Sequence, residues 1–284
     1  MSGKLTSPSV LRELLRRHGV TPRRRWGQNF LIDENILRKI PGAAQITPGD
    51  EVLEVGPGPG ALTVALAQAG ARVWAVELDP RLVGVLAETT AAYPEVHPVQ
   101  ADILTWPWSE HLAPERTKVV SNLPYYLTSP LLGRLLADRF PVLVLLVQQE
   151  VAHRLLARPG QANYGSLAVR VAYHATGEII ARVSPGAFYP RPEVASALVR
   201  LTRRPVPPVA VDEAALFAVV RAAFGHRRKT LRTALAQGLS LPVEKVRSLL
   251  AAAAIDGERR GETLTLEEFA MLAAAHSRRE VDPG

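Results

Sequence analysis

The stretch EVLEVGPGPGALTVALAQAGARVWAVELDP, residues 51–80, decides the fold. Residues 51–55 predict a buried strand, residues 60–70 predict a helix, and residues 72–77 predict a second strand. The glycines between the first strand and the helix allow a tight turn and let a ligand approach the backbone closely. This order of elements is typical of a parallel α/β sheet that binds ligands at the carboxyl ends of its strands.

The alternation of strands and helices continues beyond this stretch. Further strands are predicted at 96–100, 117–121 and 142–148, and helices at 80–91, 129–138, 149–157 and 164–175. Strands 178–183 and 195–202 follow each other without a helix, which predicts an antiparallel hairpin that closes the sheet edge. We therefore expect a doubly wound α/β fold whose seven strands are mainly parallel, with an antiparallel last strand.

A proline-rich linker, residues 203–211, precedes a part of the chain that is helical only. Its helices are predicted at 212–224, 227–237, 243–253 and 265–276. Upstream of the first strand we expect helices at 7–19 and 33–40, separated by an irregular basic segment, 21–31. The chain is therefore predicted to have an α/β domain, residues 1–205, and a small all-α domain, residues 206–284.

The positive charge is concentrated in two places. The net charge is +7, but residues 1–40 carry +6 and residues 221–232 carry +5, so the rest of the chain is slightly acidic. Two basic clusters on an acidic body indicate a polyanionic partner such as nucleic acid. The alternative is a set of solvated helix faces.

Composition excludes several other classes of protein. The chain has no cysteine, which excludes disulfides, thiolate metal sites and cysteine nucleophiles. The histidines are scattered without metal-ligand spacing, so we expect no metal site. No apolar run is long enough for a membrane span, and the N-terminus MSGKLTSPSV lacks the apolar run of a signal peptide. We expect a monomeric cytoplasmic protein.

Acidic residues at strand ends accompany the glycine turn. Glu77 ends the second strand, where a carboxylate can accept both hydroxyls of a ribose, and Asp102 follows the third strand, where it can accept a hydrogen bond from an adenine amino group. An adenosine cofactor is therefore expected. Gly56-x-Gly58-x-x-Ala61 also satisfies the loose dinucleotide pattern, and a turn without a ligand is the simpler alternative. The E-x-G-x-G-x-G form looks like the S-adenosylmethionine methyltransferase pattern.

The tetrapeptide Asn122-Leu123-Pro124-Tyr125 follows the fourth strand at the same sheet edge. It resembles the N-[IL]-P-[YF] motif of methyltransferases that act on the N6 amine of adenine. That amine is a poor nucleophile because its lone pair is delocalised into the ring. The Asn122 oxygen and a backbone carbonyl of Leu123 or Pro124 can hold its hydrogens, and Tyr125 can stack on a flipped base. The alternative is a strand-to-helix turn in which Asn and Pro serve geometry only.

Together these motifs resemble the ribosomal RNA adenine N6-methyltransferases, and among them the small-subunit adenine dimethyltransferases of the KsgA (RsmA) type. The resemblance extends from about Arg23 to the C-terminal helices. Besides the motifs above, it rests on RWGQNFL at 25–31, FYPRPEVAS at 188–196 and FGHRRKTL at 224–231.

The resemblance implies a Rossmann-like class I methyltransferase that uses S-adenosylmethionine. It implies dimethylation of the N6 amines of two adjacent adenosines in the 3′-terminal hairpin loop of 16S rRNA, in an immature 30S subunit, with a role in 30S biogenesis. The candidate cofactor residues are Gln28, Asn29, Leu31, Glu54, Gly56, Gly58, Gly60, Glu77, Leu78, Asp102, Ile103 and Asn122. The candidate catalytic residues are Asn122, Leu123, Pro124, Tyr125 and Phe188, whose ring is implied to sandwich the base against Tyr125. The candidate RNA-binding residues are Arg23, Arg24, Arg25, Arg221, Arg227, Arg228, Lys229 and Arg232.

Three other functions stay open at this point. A macrolide-resistance methyltransferase would modify an adenine of 23S rRNA with the same cofactor motifs, although the long helical C-terminus favours the small-subunit enzyme. A non-catalytic RNA-binding assembly factor could retain the fold, although such a protein should have lost some of the motif residues. A dinucleotide-dependent oxidoreductase lacks a candidate hydride-transfer acid or base in this sequence.

Overall fold

The computed structural model describes residues 4–22, 28–124, 127–226 and 228–281. The strands are β1 (Phe30–Leu31), β2 (Glu51–Val55), β3 (Arg72–Glu77), β4 (Val96–Gln100), β5 (Thr117–Asn122), β6 (Val142–Gln148), β7 (Ala175–Val183), β8 (Phe188–Tyr189) and β9 (Ser196–Arg203). The helices are α1 (Pro8–Arg17), α2 (Glu34–Ala43), α3 (Ala61–Gln68), α4 (Pro80–Thr90), α5 (Thr128–Ala137), α6 (Gln149–Leu155), α7 (Ser166–His174), α8 (Glu213–Gly225), α9 (Leu231–Gly238), α10 (Val243–Ala252) and α11 (Leu266–Val281). Within these ranges no helix combines the length and apolarity needed to span a bilayer.

Two compact units divide the chain, and the division differs from the one expected at residue 205. The first unit runs to Ala152 and adds Gly177–Arg203, whereas the second contains His153–Thr176 and everything from Arg204 onward. Residues 153–176 join the second unit because α7 buries its apolar face in the same core as α8. The linker alone did not reveal this, since α7 precedes two strands of the sheet.

The main sheet has the strand order β4-β3-β2-β5-β6-β9-β7. Neighbours among β2 to β6 are parallel, whereas β9 runs antiparallel to β6. Strand β6, VLVLLVQ, is buried over its first six residues, as expected of a central strand covered on both faces. The doubly wound fold with an antiparallel last strand is therefore confirmed.

The order of the strands reverses between β2 and β5. The chain continues from β2 to β3 on one side and from β5 to β6 on the other, which creates a crevice at their carboxyl ends. The two strands pair from Glu51 to Leu53, and nearer the crevice Ser121 Oγ donates a hydrogen bond to Val55 O at 2.5 Å. The glycine turn and Asn122 leave the sheet at this crevice.

Strands β1 and β8 form a separate two-stranded antiparallel sheet. Phe30 lies opposite Tyr189 and Leu31 opposite Phe188, and Ile32 N donates to Ala187 O at 2.8 Å just beyond the pair. The prediction of an irregular segment at 21–31 was wrong for Phe30 and Leu31. Such short strands depend on a partner far along the chain and have no local pattern of their own.

Helix α1 packs against α4 in the first unit. Its apolar stripe belongs to a buried cluster with β1 and α4, namely Leu11, Leu14, Leu15, Val20, Phe30, Leu82 and Val85. Arg17 Nη2 lies 2.8 Å from Glu88 Oε1, and His18 Nε2 lies 2.7 Å from Glu88 Oε2. These contacts hold the beginning of the chain close to the glycine turn.

The second unit has its own apolar core, built by α7 to α11. A capping box begins α11: Glu268 N donates to Thr265 Oγ1 at 3.3 Å, and Thr265 N donates to Glu268 Oε2 at 2.8 Å. Close backbone packing joins α9 to α8, because an added Cβ at Gly238 would lie 2.5 Å from the Cα of Ala222. Glycine is therefore required for this helix contact.

We expect Gly238→Ala to lower the free energy of unfolding by about 1–3 kcal/mol, as overpacking of a tight contact does. Thermal and urea unfolding would measure the change. Gly225→Ala is the matched control, since Gly225 lies in the same unit and an added Cβ there meets nothing within 4 Å. Equal stability of both variants would show that α8 and α9 separate at little cost.

Candidate active site

The glycine turn between β2 and α3 depends on backbone angles that favour glycine. Gly56, Gly58 and Gly60 have φ values of 63°, 56° and 91°. A residue with a Cβ is strained in this left-handed region. The spacing of the three glycines in the sequence therefore matches three positions at which the backbone has a positive φ angle.

Two of these glycines face the crevice at close range. An added Cβ at Gly58 would lie 2.8 Å from Cε1 of Phe30, and one at Gly56 would lie 3.1 Å from Cγ of Pro124. At Gly60, by contrast, an added Cβ would meet Thr89 Oγ1 at 2.8 Å, on α4. Gly60 thus allows α3 and α4 to pack, and its predicted contact with a cofactor stays a prediction.

Glu77 is anchored at the end of β3 with its carboxylate beside the turn. Gly58 N donates to Oε2 at 3.2 Å, and Leu78 N and Asp79 N donate to Oε1 at 2.9 and 3.0 Å. The residue is 8% exposed, and burial raises the pKa of the carboxyl while the three N–H donors oppose the rise. A carboxylate fixed in this way presents its remaining lone pairs to hydroxyl donors.

Two apolar side chains and one polar side chain follow the ends of β3 and β4, near Glu77. Leu78 is 47% exposed, Ile103 is buried and Asp102 is exposed. Ala101 N donates to Glu77 O at 3.0 Å, and Leu104 N donates to Asp102 Oδ1 at 2.9 Å. An exposed leucine beside a hydrogen-bond acceptor suits a flat heterocycle with an amino group, such as adenine.

Asn122 ends β5 and connects the sheet to the segment that contains β1. Its Nδ2 donates a hydrogen bond to the backbone O of Asn29 at 2.9 Å. This bond orients the amide and leaves Oδ1 as an acceptor. The crevice therefore holds a side-chain acceptor whose direction is fixed by the protein.

The other candidate catalytic residues have different positions. Leu123 N donates to Leu146 O at 3.1 Å, and the Pro124 carbonyl accepts from Leu127 N at 3.0 Å, which uses one of its two lone pairs. Tyr125 lies outside the described residues. Phe188 is 4% exposed and opposite Leu31, so a base could stack on its ring only if neighbouring side chains moved. Its stacking role stays a prediction.

Eight of the predicted residues line one cleft, which we call the cofactor cleft, whereas Asp102 and Ile103 are not among its lining residues. Its predicted members are Gln28, Asn29, Gly56, Gly58, Glu77, Leu78, Asn122 and Pro124. Leu31 and Glu54 line an adjoining cavity instead. Sequence reasoning missed Phe30, which lines both spaces; its position within the 25–31 signature was the available signal.

The residues fit an adenosine cofactor. Gly56 and Gly58 line the cleft, Glu77 can accept ribose hydroxyls, and the exposed Leu78 and Asp102 can contact adenine. Across the described residues, no group of three or more acidic or histidine side chains is placed to hold a metal ion.

The predicted RNA-binding residues are only partly described. Arg23, Arg24, Arg25 and Arg227 lie outside the described residues. Arg221, Arg228 and Lys229 are exposed in the second unit. Arg232 is half-buried, and its Nη1 lies 2.6 Å from Glu258 Oε1, so its charge is already paired.

Comparison with known families and proteins gives consistent matches. The sequence model of the family described as "Ribosomal RNA adenine dimethylase" matches residues 19–272. A protein named Ribosomal RNA small subunit methyltransferase A from Pelotomaculum thermopropionicum is 49% identical, covering 95% of this chain and 96% of its own. The protein of the same name from Geobacillus thermodenitrificans is 44% identical, covering 97% and 98%.

Solved structures are similar over most of the chain. A dimethyladenosine transferase from Plasmodium falciparum has 26% identity and a TM-score of 0.76, covering 88% of this chain and 98% of that one. The 23S rRNA methyltransferase ErmE has 29% identity and a TM-score of 0.65, covering 87% and 99%. Both relatives are methyltransferases that carry this α/β fold.

Proposed function

Because this chain belongs to the ribosomal RNA adenine dimethylase family and is an rRNA adenine dimethyltransferase, we propose a specific substrate and cofactor for it. It transfers methyl groups from S-adenosylmethionine to the N6 amines of two adjacent adenosines in the 3′-terminal hairpin loop of 16S rRNA. The reaction accompanies biogenesis of the 30S subunit. The observation that carries the proposal is the Asn122 amide, fixed on Asn29 O beside the glycine turn and Glu77.

The cofactor is held by the cleft residues described above. S-adenosylmethionine supplies, when bound, a methyl group on a sulfonium that leaves readily. Glu77 accepts the ribose hydroxyls, because its two oxygens are already oriented by three backbone donors. Leu78 and Ile103 would contact the adenine, and Asp102 would accept a hydrogen bond from its amino group.

The target amine is held by acceptors at the end of β5. Asn122 Oδ1 and a carbonyl of Leu123 or Pro124 accept its two hydrogens, so that the nitrogen lone pair points out of the base plane. Because the leaving group is already activated, orientation of this kind supplies much of the rate acceleration without a strong general base. Tyr125 would stack on the flipped base, and Phe188 would join it only after the side chains around its buried ring have moved; such a contact is worth about 1–3 kcal/mol per base in other proteins.

The second candidate is methylation of 23S rRNA, which the similarity to ErmE favours. The relatives named as small-subunit methyltransferases favour the first candidate, because they reach 49% identity and cover nearly the whole chain. Both candidates use the same amine chemistry in the same cleft. They differ in the RNA that the protein recognises.

The experiment that separates them uses both RNAs. The purified protein is incubated with tritiated S-adenosylmethionine and either 30S particles that lack the modification or 23S rRNA, and dimethyladenosine is mapped by mass spectrometry. We expect two adjacent N6,N6-dimethyladenosines in the 3′-terminal hairpin loop of 16S rRNA. Methylation of 23S rRNA alone would overturn the proposed 16S rRNA substrate. If neither RNA is methylated, the proposed transfer of methyl groups to the N6 amine of adenine is wrong.

Binding of RNA is expected to depend on Arg228 and Lys229, since both are exposed in the second unit. In the double variant Arg228→Ala/Lys229→Ala the affinity for the particle should fall. The slope of log affinity against log salt should become shallower by about one for each lost phosphate contact. Binding titrations at several salt concentrations measure this.

A matched control is the double variant Lys245→Ala/Arg247→Ala, which removes two positive charges from α10 of the same unit. Arg247 already pairs with Glu244 at 2.9 Å, so its loss should change RNA binding little. An equal loss of salt dependence in both double variants would mean that net charge, rather than the 224–231 segment, governs RNA binding.

A further inference from the structure

The turn that follows β4 presents the side chain of Asp102, and we call it the 102–106 turn. Thr105 N and Trp106 N donate to the main-chain O of Asp102 at 3.0 and 2.8 Å. Leu104 N donates to Asp102 Oδ1 at 2.9 Å, so the exposed carboxylate keeps Oδ2 as an acceptor. The shape of the turn therefore sets the direction in which this acceptor points.

The 102–106 turn is attached to the main sheet on one side. Strand β4, which precedes it, is the edge strand next to β3. Ala101 N donates to Glu77 O at 3.0 Å, which brings the turn beside the cofactor cleft. Because an edge strand has no second neighbour to hold the loop after it, contacts from outside the sheet decide how rigid the turn is.

Arg134, on α5, makes such contacts. Its Nη1 donates to Ile103 O at 2.8 Å, and its Nη2 donates to Trp106 O at 2.9 Å. The guanidinium carbon lies 3.6 Å from the centre of the Trp108 ring. A guanidinium can make all three contacts because its N–H donors form a planar fork and its face is free to stack on an aromatic ring. One side chain thus holds two carbonyls of the 102–106 turn.

The aromatic ring beside Arg134 is itself fixed. Trp108 is 2% exposed, and its Nε1 donates to Asp138 Oδ2 at 2.6 Å, at the end of α5. Its ring also meets that of Phe140 edge-on, with 5.7 Å between the ring centres. The half-buried guanidinium therefore lies between a fixed ring and two carbonyls, which leaves it little freedom to reorient.

Helix α5 also leads back to the side of the site that would hold the target base. Leu127 N, immediately before the helix, donates to Pro124 O at 3.0 Å. Because a helix holds its residues in a regular geometry, Arg134 connects the 102–106 turn to the end of the Asn-Leu-Pro segment. The two sides of the site are thereby joined through one side chain.

We infer that Arg134 is a positioning residue: it holds the 102–106 turn so that Asp102 selects a cofactor whose base carries an amino group. The inference rests on the proposed function, which assigns Asp102 to the amino group of adenine. Arg134 acts through the turn, since its Nη1 and Nη2 are directed at carbonyls of the turn. Without Arg134 the turn would adopt other arrangements, and the carboxylate would lose its preference for an amino group over a carbonyl.

Ligand discrimination tests this role. S-adenosylhomocysteine, the cofactor without its transferred methyl group, and S-inosylhomocysteine share the ribose and the amino-acid chain, but the second has a carbonyl where adenine has its amino group. Calorimetric titration gives the Kd of both ligands for the wild type and for Arg134→Ala. We expect the wild type to prefer S-adenosylhomocysteine, and the ratio of the two Kd values to fall by about tenfold in Arg134→Ala, the factor typical of losing one hydrogen bond to a charged group. A variant that is merely less stable would bind both ligands more weakly and keep the ratio.

The conservative variant Arg134→Lys and the reaction kinetics sharpen the test. An ammonium keeps the charge and can reach one carbonyl, but it lacks the planar fork, so the ratio for Arg134→Lys should lie between those of the wild type and Arg134→Ala. In Arg134→Ala the KM for S-adenosylmethionine should rise, whereas kcat at saturating cofactor should change little because Asn122 is untouched.

Arg203→Ala is the matched control. Arg203 Nη1 also donates to a backbone carbonyl, Leu136 O at 3.0 Å, but it does so from β9 and binds α5 itself rather than the 102–106 turn. Its loss should lower the melting temperature and leave the ligand ratio unchanged. An unchanged ratio in Arg134→Ala, or an equal fall in Arg203→Ala, would overturn the inference.

Amide hydrogen exchange of the wild type needs no variant. Thr105 N and Trp106 N should be protected from exchange before any ligand is added, because the turn is already held. Protection that arises only with bound ligand would overturn the inference and leave the proposed function intact. If the wild type binds both ligands equally, the proposed adenine contact of Asp102 is wrong, and if it binds neither, the proposed cofactor is wrong; the inference fails in both cases.

Discussion

Asn122→Ala is expected to lower the rate of methyl transfer to ribosomal RNA by about 10²–10³-fold, the effect typical of losing a pre-oriented hydrogen-bonding group at a reacting centre. The substitution removes the Oδ1 acceptor for the target amine. It also removes the Nδ2 donor that holds Asn29 O at 2.9 Å, and with it a link between the sheet and the β1 segment. Single-turnover transfer of a tritiated methyl group measures the loss.

Two further variants show which of these roles matters. Asn122→Asp keeps the acceptor oxygens but replaces the donor with a carboxylate that faces the Asn29 carbonyl, so the link should break. Asn35→Ala is the matched control, because Asn35 is exposed on α2, where it accepts a hydrogen bond from Arg38. Full activity of Asn122→Ala would rule out the assigned chemistry.

Gly58→Ala is expected to weaken binding of S-adenosylhomocysteine by at least about tenfold. A residue with a Cβ costs about 1–2 kcal/mol in the left-handed region. In the free variant the turn can relax from this conformation, so restoring it when the ligand binds would lower the affinity by a factor of about 5–30. The new Cβ would also press on the Phe30 ring at 2.8 Å, and Phe30 is buried. Calorimetric or fluorescence titration of the ligand measures the change.

The steric and conformational parts of this effect can be separated. Adding Phe30→Ala to Gly58→Ala removes the clash but keeps the strained backbone angle, so binding should recover only in part. Gly42→Ala is the control in the same unit, since an added Cβ there meets nothing within 4 Å. Unchanged affinity in Gly58→Ala would mean that the turn does not contact the ligand.

Much of the sheet and of its ligand-binding edge could be predicted because the signals are local. A buried strand, a glycine turn and an acid at the next strand end are adjacent in sequence, and parallel strands bring their carboxyl ends together. Gly56, Gly58, Glu77 and Asn122 were therefore predicted together, and the cofactor cleft contains all of them.

Other parts depend on partners far along the chain. The pairing of β1 with β8 leaves no periodic pattern in the sequence. The ion pair that neutralises Arg232 is made with Glu258, which lies outside the basic cluster at 221–232. Gly60 matches the motif, but its close neighbour is Thr89 on α4. The enclosure of Glu54 by Leu5 and Leu11 likewise depends on how α1 packs, which its apolar stripe alone does not specify.

The small sheet of β1 and β8 has a consequence for synthesis of the protein. Phe30 emerges from the ribosome early, but its strand partner Tyr189 is translated only after most of the first unit. A nascent chain that ends before this residue can form the first parallel strands. Strand β1, which contributes Phe30 to the cofactor cleft, still lacks its partner strand β8 at that stage. The β1–β8 sheet can therefore form only after Tyr189 has been translated, and such pairing between distant segments is slow. Maturation of the enzyme is thereby coupled to near-complete translation of its α/β unit.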